Sequence, residues 1–189
     1  MRSRSEEDEF RTYVELHRTA LVRTAYLLCG DRDEAEDLAQ TTVTKVFTAW
    51  ERVRAAENPD AYVRRILVNV NLSRTRRRRV RQFLTDRLPD RAGPDPTSAV
   101  AQRSVLMAAL SRLPAGRRAA VVLRHWEDRS ESEVAKILGC TVGTVRSQTF
   151  KGLAQLRKDP QLADLIPRQT DTPSTSDTEV RPWPTTAPH

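Results

Sequence analysis

The sequence predicts an all-α protein, built as two small helical domains joined by a flexible linker. Apolar residues recur at the 3.6-residue period of amphipathic helices in one segment after another. Capping pairs, Asp31 with Glu34 and Ser130 with Glu133, stand where new stripes begin. Between the halves, TDRLPDRAGPDPTS combines Pro89, Gly93, Pro94 and Pro96 with charges and has no apolar face, as a linker does. The expected division is a first domain at 1–84, a linker at 85–98, a second domain at 99–166 and a disordered tail at 167–189. That tail is rich in Pro, Thr and Ser, and too poor in apolar residues to fold alone.

In the first domain, Ser5 is expected to cap a helix whose first turn, Glu6 to Glu9, is acidic as the helix dipole prefers. Phe10, Val14, His17, Leu21 and Leu28 mark its buried side, and Gly30 ends it. The next helix carries Leu38, Ala39, Val43, Val46, Phe47 and Trp50 as its stripe. Its other face bears Asp37, Gln40, Thr41 and Thr44. ERVRAAENPD loses the period and reads as a loop closing on a turn signal. From Ala61 a long helix turns Tyr62, Val63, Ile66, Leu67 and Val70 inward and then becomes arginine-rich. Arg74, Arg76, Arg77, Arg78, Arg79 and Arg81 cover every face of its end. No core absorbs such charge, so this end belongs in solvent or against phosphate.

In the second domain, a stripe from Val100 to Leu113 breaks at Pro114, and AGRRAAVVLRHW forms a further helix. Ser130 to Lys158 then holds two short helices around a tight turn. Ser130 and Glu133 open the first, whose apolar face is Val134, Ile137 and Leu138. Gly139 suits the φ > 0 position that ends it, and Thr141 caps the second. Val142, Val145, Thr149, Leu153 and Leu156 face the first helix, leaving Thr144, Ser147, Gln148 and Lys151 outward with Arg146 and Phe150 on the flanks. This is a helix-turn-helix with a basic second helix, suited to the DNA major groove. A hairpin that merely packs would give no reason for the outward hydroxyl and basic groups.

Composition bounds the function. The net charge of +7 suits a polyanionic partner. Charge is also polarised along the chain: residues 1–60 hold more acids than bases, while the arginines of 64–91 meet only Asp86 and Asp90. Cys29 and Cys140 lie in different halves, and the histidines are His17, His125 and His189. With so little to build from, no metal, cofactor or nucleophilic triad is expected, and the chain is not expected to be an enzyme. The N-terminus is acidic where a signal peptide needs an apolar run, and no stretch approaches the ~20 apolar residues of a membrane span. A cytoplasmic protein without membrane insertion is expected.

Taken together, the chain resembles an extracytoplasmic-function (ECF) sigma factor of bacterial RNA polymerase, close to the SigE-like group, over about residues 10–158. GDRDEAEDLAQTTVTKVFTAW resembles region 2.2, which docks on the clamp helices of the polymerase β′ subunit. PDAYVRRILVNVNLSRTRRRR resembles regions 2.3 and 2.4, which open and hold the minus-10 element. LSRLPAGRRAAVVLRHWEDRSESEVAKILGCTVGTVRSQTFKGLAQLR resembles region 4, which reads the minus-35 element and touches the β flap. The resemblance implies polymerase contacts at Asp37, Gln40, Thr41 and Thr44. It implies minus-10 contacts at Asn58, Asp60, Tyr62, Arg64, Arg65, Asn69, Arg76, Arg77 and Arg78. Minus-35 contacts would come from Thr144, Arg146, Ser147, Gln148, Phe150 and Lys151. Departures stand at Thr41, where many members have an acid, at Tyr62, where many have Trp, and at Gln148, which replaces a common Arg. The implied partners are core RNA polymerase and promoter DNA, with an anti-sigma factor as a further candidate, and the free chain is expected to be a monomer. The competing reading is a one-component helix-turn-helix regulator that binds duplex DNA without polymerase. The linker and the separate arginine track argue against it.

Overall fold

The computed structural model describes residues 4–85 and 98–163, all of whose regular structure is helical. The expected linker therefore lies almost wholly outside the described residues, as does the tail.

Helix α1, Arg4–Cys29, already includes Ser5, so Ser5 is inside the helix rather than its cap. It ends where expected, at Gly30, whose φ of +91° a side chain would strain. Helix α2, Arg32–Thr48, starts at Asp31, whose carboxylate accepts from the Glu34 N–H at 2.9 Å. The expected loop after it is in part a helix, α3, Trp50–Arg54. Trp50 and Val53 are buried there, so tertiary burial organises a segment whose own periodicity is too short to read. Asn58 then accepts from the Ala61 N–H at 2.9 Å, and Pro59 opens α4, Pro59–Thr85. Helix α1 packs along α2, with α4 against both, around Leu28, Leu38, Val46, Val53, Leu67 and Val68.

The second unit comprises α5, Ser98–Ser111; α6, Ala115–Val121; α7, Glu131–Leu138; α8, Val142–Arg157; and α9, Pro160–Ala163. After α6 the expected helix continues as a π-helical turn, Val122–Trp126. The capping box of α7 is complete: Ser130 and Glu133 each accept from the other's backbone N–H, at 3.2 and 2.9 Å. Gly139 ends α7 at φ +65°, and the Thr141 hydroxyl caps α8 by accepting from the Thr144 N–H at 3.2 Å. Helix α8 lies so close to α6 that a Cβ on Gly152 would stand 2.6 Å from a Val121 methyl.

The two units close on each other. Helix α4 packs on α6 and α7, α1 on α5 and α6, and one apolar cluster runs through both units. Arg118, buried in α6, donates to the Leu28 carbonyl of the first unit at 2.9 Å and to the Ser111 carbonyl at 2.7 Å. Its burial lowers its pKa.

Candidate nucleic-acid and protein interfaces

On α8, Val145 and Gly152 are buried while Thr144, Arg146, Ser147, Phe150 and Lys151 are exposed and Gln148 is half-buried. Phe150 is 71% exposed, so it faces outward instead of tucking against a neighbouring helix. Arg146 is oriented by Glu131 at the start of α7, which accepts from its Nε at 2.6 Å. Thr144 serves the helix end as well as the surface, since its hydroxyl lies 2.9 Å from that of Thr141. The result is a protruding face of hydroxyl, guanidinium, ammonium and aromatic groups. It can hydrogen-bond base edges and phosphates and touch a thymine methyl.

The α4 surface is more varied than its sequence suggests. Asn58, Arg65, Asn69, Arg76 and Arg77 are exposed, and Tyr62 is half-buried. Asn58 also caps the helix. The arginine run has no acid within it, yet Arg78 pairs with Glu34 of α2 and Arg74 donates to the Thr41 hydroxyl at 3.3 Å. Asp60 accepts from the Tyr13 hydroxyl at 2.9 Å and lies 3.4 Å from His17 Nδ1. Burial, and then that hydrogen bond to Asp60, push the Tyr13 phenol pKa up.

Arg64 departs from expectation. Its side chain is 6% exposed, and its Nε donates to both Glu127 oxygens at 2.7 and 2.8 Å. In this closed arrangement Arg64 does not face solvent, because the second unit lies over it. Glu127 and Arg129, which meet α4 here, were not legible in the sequence. A lone Glu in Trp-Glu-Asp-Arg carries no period or spacing that marks a partner 63 positions away.

On α2, Asp37, Gln40 and Thr44 are exposed along one face, with Thr41 half-buried beside them. The Thr44 hydroxyl donates back to the Gln40 carbonyl at 3.0 Å, so the outward polar groups on offer are chiefly the Asp37 carboxylate and the Gln40 amide. No group of three or more His, Cys, Asp or Glu that could hold a metal occurs among the described residues, and none of their helices is long and apolar enough to cross a membrane.

These three surfaces fall within segments shared with known proteins. Residues 13–81 match the family model for sigma-70 region 2, and residues 103–156 match that for sigma-70 region 4. The RNA polymerase sigma-E factor of Streptomyces avermitilis is 38% identical over 160 residues, covering 85% of this chain and 89% of that protein. The ECF RNA polymerase sigma factor SigE of Mycolicibacterium smegmatis is 36% identical over 152 residues, covering 76% of this chain and 58% of that one. The chain belongs to the ECF sigma factors. Among solved structures, the sigma factor RpoE of Bartonella quintana, crystallised with the anti-sigma factor NepR, superposes with a TM-score of 0.71 at 26% identity. That match covers 82% of this chain and 97% of RpoE. CnrH, solved with the cytosolic domain of CnrY, has the same fold, with a TM-score of 0.58 at 22% identity over 85% of this chain and 91% of that one. The sigma factor thus directs promoter-specific transcription, and the duplex-DNA regulator is not favoured: such a protein gives no reason for a region 2 match across α1, α2 and α4.

Proposed function

We propose that this sigma factor divides its work among three faces. The outer side of α2, through Asp37, Gln40, Thr41 and Thr44, binds the β′ clamp helices of core polymerase. The start of α4 and the connection before it read the minus-10 element, with Tyr62 stacking on unpaired bases. The arginines downstream hold phosphates, which fix register without carrying sequence information. Helix α8 binds the minus-35 element, while its domain meets the β flap. The chemistry of RNA synthesis belongs to the polymerase, and the factor works in the cytoplasm where that enzyme works. An anti-sigma factor, of the kind that accompanies RpoE, is a partner of the same class for this chain.

The observation that supports this reading best is the outward set on α8. Thr144, Arg146, Ser147, Phe150 and Lys151 are exposed together on a helix whose inner residues Val145 and Gly152 are buried, and Phe150 places a large apolar ring on that face, 71% exposed. The test is binding of the sigma factor with core polymerase to promoter duplexes carrying single base changes across the minus-35 element. Discrimination lost on Arg146→Ala supports the assignment. Unchanged discrimination in alanine variants of both Arg146 and Lys151 rejects it.

A further inference from the structure

The two cations assigned above to the minus-35 face differ in what holds them. Lys151 pairs with no acid among the described residues, whereas the Arg146 guanidinium donates from Nε to Glu131, the first residue of α7, at 2.6 Å. The two side chains are 69% and 33% exposed. This pair is not what joins the two helices. Helices α7 and α8 pack through an apolar cluster in which Val134, Ile137 and Val145 are fully buried, and the cap of α7 is already complete in Ser130 and Glu133. An ion pair this exposed also adds little to stability. Its consequence lies instead in what Arg146 can do beside DNA. An unheld arginine is drawn to phosphates, which attract it whatever the sequence. A carboxylate on Nε takes up one edge of the guanidinium, cancels its net charge and leaves donors that an uncharged base edge can still use.

We propose that Glu131 is a specificity-determining residue for the minus-35 element, a positioning residue that acts through Arg146. It lowers the attraction of this face for DNA in general and raises its discrimination among bases. The inference rests on the reading of α8 as the minus-35 helix. In that docking the first helix of a helix-turn-helix crosses the DNA backbone, so a carboxylate in the first turn of α7 meets phosphates passing nearby and repels them. Specificity is a difference between affinities, and a charge set against the wrong contact widens that difference as surely as a new bond to the right one. Glu131 thereby steers Arg146 away from the phosphates and towards the groove, while Lys151 remains available to the backbone.

The experiment uses the full chain with core polymerase and four variants: Glu131→Ala, Glu131→Gln, Arg146→Ala, and Glu131→Ala combined with Arg146→Ala. Binding is measured at several salt concentrations to promoter duplexes with single base changes across the minus-35 element and to an unrelated duplex. Glu131→Ala should bind the unrelated duplex more tightly, with a salt slope steeper by about one, because Arg146 is freed to meet a phosphate. Its discrimination at the base pair that Arg146 reads should fall about tenfold, within the range of one bidentate contact. Glu131→Gln, which can still accept from Nε but carries no charge, should tighten general binding in the same way and keep discrimination nearer the wild type. With Arg146 already replaced, Glu131→Ala should change discrimination no further. A merely structural loss scales the affinity for every duplex alike and leaves their ratios unmoved, so uniformly weaker binding by Glu131→Ala overturns the inference. So does an equal loss of discrimination in the Arg146→Ala background. Unchanged discrimination for Arg146→Ala overturns the α8 reading itself, whereas lost discrimination there with wild-type discrimination for Glu131→Ala overturns this inference alone.

Discussion

Arg146 carries its reach in its side chain and its direction in Glu131. Its Nε donates to that carboxylate at 2.6 Å while the side chain stays exposed, which leaves the two terminal nitrogens of the guanidinium to offer a fork of donors to guanine O6 and N7. Alanine at Arg146 should cost ~1–3 kcal/mol of minus-35 binding, about five- to 150-fold in affinity, concentrated at one base pair. Alanine at Lys151, a point charge suited to phosphate, should weaken all sequences alike and lower the salt slope by about one. Competition binding with single-base promoter variants at two salt concentrations distinguishes the two patterns. Gly152 matters for what it lacks. Gly152→Ala drives a methyl into Val121, a branched side chain that cannot swing aside, and overpacking of this kind costs ~1–3 kcal/mol. Better helix propensity returns about 1 kcal/mol at most. Thermal unfolding should show a net loss of stability, and an unchanged midpoint would mean that α6 and α8 are free to move apart.

The Glu133 carboxylate accepts from the Ser130 hydroxyl and then its backbone N–H, and these bonds hold its pKa below the ordinary glutamate value of 4.5. A depressed folded pKa contributes stability that is fully present above the unfolded value and is lost as pH falls through the lower, folded one. Ser130→Ala should cost ~1 kcal/mol at neutral pH and progressively less in acid, measured by urea unfolding at several pH values. A deficit independent of pH would contradict the capping account. On α2, Asp37→Ala with Gln40→Ala should weaken core polymerase binding while leaving the melting temperature in place, because both side chains are exposed. Unchanged binding would return that face to the solvent. Helix ends of this kind were legible because a cap is a local transaction between residues three apart, and Asp31, Ser130, Gly139 and Thr141 each behave as their neighbours dictate. Helix α3 was not. Its five residues are too few to display a period, and it forms because Trp50 and Val53 find a core built by other segments.

Across the whole molecule, the resemblance and the exposure of the polar groups on α2 and α8 could be read from the chain, since exposed polar groups on an amphipathic helix follow from its period. The closure of the two units could not. Arg64 reads as one more arginine of a basic helix, and only the fold brings Glu127, Thr24 and Arg129 around it and Asp60. The two helical domains expected from the sequence are present, and among the described residues one apolar cluster runs through both. Combined with core RNA polymerase, this chain is expected to select and open promoters. Run-off transcription with purified core enzyme across a promoter library tests it most directly. Transcripts are expected only when the chain is present, from templates sharing a minus-35 and a minus-10 element, with the factor co-migrating with core polymerase in gel filtration. A chain that yields no transcript, stays apart from core enzyme and shifts duplex DNA alone as a stable dimer would contradict it.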